Sequence, residues 1–211
     1  MPTFLPEDSL RTPRFVGITT FMRLPYTKDL QGVDVAVLHF VSHTDTWDTY
    51  FAGQRHSAGT AFRRGVEEGL IDAHASMQIG MRGSLFSSQD IEQSLALGYE
   101  VVSTDQMLDA SVDTLARRIL AKFRGRRVFL SFDLDVVDPA FAPGVQTPEA
   151  GGPSARDVLR LLRSLRGLDL AGADVVEMNP NYDPGQISAL LAATVVAEIL
   201  ALIAAHRRDH R

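Results

Sequence analysis

Short β-rich runs alternate with longer helical patterns along most of the chain, and that alternation decides the fold class. The strand candidates are Val33 to Phe40 (VDVAVLHF), Ser76 to Met81, Tyr99 to Ser103, Arg127 to Phe132 and Leu170 to Met178. Helical patterns occupy Ala61 to Leu70, Gln89 to Leu97, Val112 to Phe123, Ala155 to Leu165 and Ile187 to Ala205. Ser154, with Asp157 three residues on, gives the fourth helix a capping-box-like start. Strands that return after each helix run parallel and are covered on both faces. The expectation is an α/β fold, a three-layer α/β/α sandwich with a mainly parallel sheet. With 211 residues and neither internal repeat nor dividing linker, the chain reads as a single domain, 1–211. In open sheets of this kind ligands bind at the carboxyl ends of the strands.

Composition narrows the partners. With 45% hydrophobic and 22% charged residues and a formal net charge of -5, the chain is neither disordered nor built to grip nucleic-acid phosphates. Zero Cys removes disulfides, thiolate ligands and a cysteine nucleophile together, so a metal would need His and carboxylate ligands. The start, MPTFLPEDSLRTPRF, carries acidic residues and prolines where an export signal needs a basic and then an apolar stretch; a cytoplasmic location is expected. Ile187 to Ala205 is long enough to mimic a membrane span, but it contains Ser188, Thr194 and Glu198 and leads into the basic HRRDHR. It reads as a core helix, with no membrane partner.

The chemistry concentrates where two strands end. SFDLDVVDP closes the apolar run RRVFL with Asp133, Asp135 and Asp138 inside six residues. By the period of two, Ser131, Asp133 and Asp135 share one face, the two carboxylates about 7 Å apart. Carboxylates held that close in a dry crevice repel, and one takes up a proton unless a cation lies between them. A blander reading makes Asp138, followed by Pro139, a turn former and the other two caps or loop residues. A second cluster weighs against blandness: HFVSHTDTWD places His43 and Asp45 two residues apart just past another strand. Together His43, Asp45, Asp133 and Asp135 supply imidazole and carboxylate ligands without sulfur, which suits Mn, Fe or Zn, with Mn favoured. A phosphate-transfer hydrolase with an Asp nucleophile in D-x-D would want a phosphate-binding loop at another strand end, and no convincing one is found.

SFDLDVVDPAFAPGVQTPEAGG resembles the signature of the ureohydrolase family, which includes agmatinase and arginase, and PRFVGITTFMRLPY, TAFRRGVEEGLID, QIGMRGSL and GADVVEMNPNYD are similar to agmatinase sequence as well. Nearly all of the chain finds a counterpart, over residues 14 to 36 and 39 to about 205. The resemblance implies an arginase-like fold, two Mn ions per chain and hydrolysis of a small guanidino cation to urea and an amine. It carries His43, Asp45, Asp133 and Asp135 over as metal ligands, Asp45 also as a proton donor to the leaving amine, and Glu177 as the residue that binds and orients the guanidinium.

Three departures bear on that chemistry. The family's D-A-H-x-D motif reads VSHTD, so Val41 stands where a metal-bridging Asp is expected. The H-G-T loop reads AGT, with Ala58 at the position of a proton-transferring His, and His56 two residues away. The segment of about a hundred residues that the family carries ahead of the D-A-H-x-D strand, with a further His ligand, has no counterpart here. With four of six ligands and no bridging carboxylate, one loosely bound ion or none is expected, and with it impaired activity or a non-catalytic structural or regulatory role. The loss of covering elements favours a homo-oligomer that hides the uncovered apolar faces.

Overall fold

The computed structural model describes residues 35–50, 53 and 55–210. Val33 and Asp34 of the first expected strand, and PRFVGITTFMRLPY, lie outside the described residues. Among the described residues five strands form one parallel sheet: β1 (Ala36–Phe40), β2 (Met77–Met81), β3 (Glu100–Ser103), β4 (Arg127–Asp133) and β5 (Asp169–Val176), in the order β3-β2-β1-β4-β5. The described residues also form six α-helices, one after each strand except for two between β3 and β4: α1 (Ala61–Glu67), α2 (Asp90–Leu97), α3 (Thr104–Asp109), α4 (Val112–Lys122), α5 (Ala155–Ser164) and α6 (Ile187–Asp209). Every residue of β1 and β2 is buried, odd and even positions alike, so both faces of the central sheet are covered, as the alternation of strand and helix requires.

One face carries Ala36, Leu38 and Phe40 of β1 beside Val128, Leu130 and Phe132 of β4; Phe40 and Phe132 pair in register, with ring centroids 5.4 Å apart. The helices bury the stripes their sequence spacing dictates: Leu115, Ala116 and Ile119 on α4, Val158, Leu161 and Leu162 on α5. The expected box at Ser154 is present, with Ser154 Oγ accepting from Asp157 N at 3.2 Å and Asp157 Oδ2 from Ser154 N at 3.0 Å. Helix α3 was not expected, although Ser103 and Gln106 form a full capping box at its start.

Helix α6 departs from the expected core helix. Ser188, Leu191, Val195, Ile199 and Leu202 are buried, and the helix packs on β5 and α5. Leu190 and Leu200 on its other side are 71% and 60% exposed. By length and composition the helix could cross a membrane, and only 28% of its most apolar stretch is buried. The physical reason is the position of its partner: among the described residues β5 has a strand on one side only, so the helix over it is covered on one side only.

The strand order places the site. From β1 the chain winds outward through β2 to β3, then returns to β4 on the other flank of β1 and continues to β5. The winding reverses between β1 and β4, the place where open α/β sheets leave a crevice at their carboxyl ends.

Candidate functional site

The loops leaving β1 and β4 both carry acidic side chains into that crevice. A cavity of about 380 Å³ is lined by His43 and Asp45 from the first loop, Asp133 and Asp135 from the second, Thr147 and Glu149 further along it, and Glu177 just past β5. The five residues expected from the sequence therefore border one space. Their local geometry differs from the expectation. Asp133 is the last residue of β4 and Asp135 sits in a 3-10 turn, Leu134–Val136, whose start Asp133 caps by accepting from Asp135 N at 2.7 Å. The pair is brought together by that turn and not by extended alternation, because Asp133 caps more favourably than the strand continues. On the other loop the chain leaves β1 at Phe40, and Asp45 adopts a left-handed φ of 51°. Glu177 is left-handed as well, at 62°. Non-glycine residues in this conformation cost free energy and collect where side-chain direction matters to function.

Asp138, the third carboxylate of the opening motif, is a turn former and not part of the cavity. Its Oδ1 accepts from Ala140 N at 2.9 Å, and its Oδ2 from Gly151 N at 2.8 Å and Gly152 N at 3.1 Å, which closes the loop onto itself. Arg82, at the end of β2, ties the same loop to the sheet by donating to the carbonyls of Asp135, Val136 and Glu149 at 2.9, 2.9 and 2.7 Å.

His43 joins the two strand tips. Its Nδ1 lies 2.8 Å from Asp135 Oδ2, and its Nε2 is 3.4 Å from Glu149 Oε1. Asp135, 1% exposed, also accepts from Ser42 N at 2.9 Å and from Thr147 Oγ1 at 3.3 Å. Burial alone would raise Asp135, but the hydrogen bond and charge of His43, with the Ser42 donors, carry it below the usual carboxylate range. Burial would lower His43, and Asp135 above all overcomes it and raises the imidazole. Asp45 and Asp133 go the opposite way. Burial, and then the charge of Asp135, pushes Asp45 up to about 8 against the pull of His43, with Glu177 adding to the rise. Burial and Asp135 push Asp133 well above its ordinary value. More negative charge is gathered here than the local donors neutralise, so protons must make up the difference.

Among the described residues, no group of three or more His, Asp or Glu side chains is arranged to hold a metal ion. The position of the expected bridging Asp explains part of this: Val41 is fully buried and offers no ligand atom. His43, turned onto Asp135, explains more. Ala58 borders the cavity where a proton-transferring His is expected, and His56 is exposed and does not border it. In type and charge the donor set still fits a divalent cation, because buried carboxylates that must otherwise be protonated are what such an ion relieves.

Sequence reasoning left three contributors unassigned. Glu149 occupies an unspecified position of the T-P-x-x-G-G segment, so the motif carried it without marking it. Thr147 lies in the same motif, which assigns it no role. The third is an aromatic wall: Trp47 stacks on Tyr50 with centroids 4.8 Å apart, and Phe86 packs against both at 5.2 and 5.0 Å. Trp47 rests on Gly59, where a Cβ would collide with the indole, so the A-G-T segment needs its glycine for this packing.

Comparison with known proteins agrees with this fold. Residues 19–202 match the Arginase family, and the chain belongs to that family. Guanidinopropionase from Pseudomonas aeruginosa is 41% identical over 196 residues, covering 91% of this chain and 61% of the relative. An agmatinase from Photorhabdus laumondii is 41% identical over 174 residues, or 82% of this chain and 53% of the relative. The solved structure of proclavaminate amidinohydrolase from Streptomyces clavuligerus superposes with a TM-score of 0.78 at 41% identity, covering 82% of this chain and 57% of that one. Arginase from Bacillus caldovelox shares the fold, with a TM-score of 0.70 at 22% identity over 81% of this chain and 60% of that one. The chain thus spans between about half and three fifths of the length of the relatives it matches.

Proposed function

We propose that this chain is a metal-dependent guanidino hydrolase that cleaves agmatine or a related guanidino acid to urea and an amine, with activity reduced by its departures from the family pattern. The observation that supports this most is the gathering of His43, Asp45, Asp133, Asp135 and Glu177 around one cavity at the reversal point of the sheet. His43, Asp45, Asp133 and Asp135 would hold one divalent ion, with Mn²⁺ expected because carboxylates outnumber imidazole. When bound, such an ion lowers the proton affinity of water enough to supply hydroxide at neutral pH.

The chain's own residues supply the rest. Glu177, half-buried at the end of β5, would orient the guanidinium through charge-assisted hydrogen bonds. Asp45, which borders the same cavity, would pass a proton to the departing amine. The wall of Trp47, Tyr50 and Phe86 narrows the approach for the substrate's apolar stem. The exposed Leu190 and Leu200 of α6 support a homo-oligomer that covers them.

The test is urea release from agmatine, guanidinobutyrate, guanidinopropionate and arginine by the folded chain with added Mn²⁺. Release from at least one, lost in Glu177→Gln, is the expected result; no release from any of them rejects turnover. Val41 and Ala58 favour a second reading, a non-catalytic relative serving as a structural or regulatory subunit. Mass-spectrometric metal content near two Mn per chain would contradict that reading.

A further inference from the structure

The two ring nitrogens of His43 have different neighbours. Nδ1 faces Asp135 Oδ2 at 2.8 Å and Ser42 Oγ at 3.0 Å, while Nε2 faces Glu149 Oε1 at 3.4 Å. Among the described residues no other acceptor reaches Nε2. Glu149 is itself held from three directions. Its carbonyl oxygen accepts from Arg82 Nη2 at 2.7 Å and Nε at 3.2 Å, its Oε1 accepts from Ser84 N at 3.0 Å, and its side chain fills the space beside Gly83. Gly83 has φ +77°, and a Cβ there would collide with the Glu149 carboxylate. One oxygen thus joins the loops that follow β1, β2 and β4.

Loop closure does not by itself call for an acid at this position. The Ser84 amide needs one acceptor, and the amide oxygen of a Gln would serve it as well. The charge has its use at His43. A histidine that gives one nitrogen to a metal ion passes the proton of the other to a carboxylate or carbonyl, which fixes the ring and makes the ligating nitrogen more basic. Nδ1 is the nitrogen on the side of Asp135, so Nε2–H is the one left to be held. Glu149 lies on the far side of the ring from Asp135.

We propose that Glu149 is a positioning residue for guanidino hydrolysis: by accepting the proton of His43 Nε2 it turns Nδ1 toward the divalent ion. The inference rests on the metal-dependent reading of the crevice. It gives Glu149 neither a place among the ligands nor a proton to transfer. A carboxylate suits the task better than a neutral acceptor, because a charged acceptor makes the shorter and stronger bond to an N–H. The anchors on Glu149 suit it too: with Arg82 on its main chain, Ser84 N on Oε1 and Gly83 beside it, the acceptor is fixed before any ion binds.

The test uses the full chain and reads the ion and the proton separately. Mn²⁺ affinity is followed by the electron paramagnetic resonance of the free ion, and the proton on His43 Nε2 by ¹⁵N-histidine NMR of the Zn²⁺-loaded chain, with His43→Asn marking its resonance. Glu149→Ala is expected to weaken Mn²⁺ binding about tenfold or more and to lose the N–H signal to exchange with water. Glu149→Gln keeps an acceptor for Ser84 N, so it should unfold in chelator like the unaltered chain yet recover Mn²⁺ affinity only in part, with the resonance moved upfield. A role in loop closure alone would leave the resonance in place and let Gln restore affinity fully. Either of those results, or equal affinity in the unaltered and Glu149→Ala chains, overturns the proposal and spares metal dependence. An unaltered chain that binds neither ion rejects metal dependence and the proposal with it. Should Glu149→Ala not fold, Glu149→Gln decides by the same two readings.

Discussion

His43 Nδ1 and Asp135 Oδ2 lie 2.8 Å apart across 92 residues of sequence, joining the tips of β1 and β4. The contact splits the acids of the crevice into unlike partners. Asp135 is held below the ordinary carboxylate range and Asp133 well above it, although the two are neighbours in one turn.

That asymmetry predicts opposite responses to one substitution. In chelator, Asp135→Asn removes the counter-charge of His43 and should lower the unfolding free energy by about 1–3 kcal/mol. Asp133→Asn replaces a carboxyl already pushed toward its neutral form, and the amide oxygen can still accept from Asp135 N, so stability should change by less than about 0.5 kcal/mol or rise. Urea titrations of both variants decide the point; equal losses would mean that the two acids carry the same charge.

Stability should also fall between pH 6.5 and 8 in the metal-free chain. Asp45, pushed up to about 8, keeps a proton in the folded chain that the unfolded carboxyl gives up near 4, so its contribution is full at low pH and lost as pH rises through 8. Asp133 and His43, both raised, act in the same direction. His39 acts oppositely: burial brings it down to about 3, so stability is lost as pH falls below 6.5, where the unfolded imidazole takes up a proton and the folded one does not. Above 6.5 His39 contributes no slope, and Asp45 alone removes about 1–2 kcal/mol over this window. Thermal unfolding across the window measures the slope, and Asp45→Asn should flatten it; an unchanged slope refutes the assignment to Asp45.

The residues of the crevice were more legible in the sequence than their conformations. H-x-D and D-x-D after apolar runs located His43, Asp45, Asp133 and Asp135 at the tips of two strands, because strand ends are read from local pattern. That these strands are neighbours at the reversal point depends on the order of the sheet, to which no short window refers. Extended alternation failed beyond Asp133 because a side-chain cap competes with strand continuation, and it failed at Asp45 because a left-handed residue turns the chain aside. Helix α3 had its signal, Ser103 with Gln106, but its six residues are too few for a helical period to show.

Gly80 should be among the least replaceable positions outside the crevice. At the irregularity where β2 shifts register against β3 it has φ +108°, and a Cβ there would collide with Val136 Cγ2 and come within 3.0 Å of the Val41 carbonyl oxygen. That carbonyl belongs to the loop that delivers His43, so relief by movement would displace the site. Gly80→Ala should cost about 3 kcal/mol, combining a disfavoured backbone with overpacking. Gly125 also has positive φ, +72°, but nothing lies within 4 Å of its Cβ position, and Gly125→Ala should cost only about 1 kcal/mol. Equal losses by urea unfolding would show that the backbone angle alone sets the cost.

Restoring the expected ligand should make folding depend on metal. Val41 is fully buried, so Val41→Asp adds a carboxylate to a neighbourhood in which Asp45 and Asp133 are already driven toward their protonated forms. In chelator that should cost about 2–4 kcal/mol, the range for burying a polar group without a partner. Mn²⁺ reverses the sign of the effect, because an ion bound only by the folded state stabilises it in proportion to RT ln(1 + [Mn²⁺]/Kd). The variant's unfolding midpoint should therefore start below that of the unaltered chain and climb more steeply with Mn²⁺, while its metal content rises toward two per chain. Adding Ala58→His, at the edge of the same cavity, returns a proton-transferring group and should raise urea release from guanidino substrates. If the double variant gains neither metal nor urea release, the limiting defect lies in the residues that its longer relatives carry and this chain lacks.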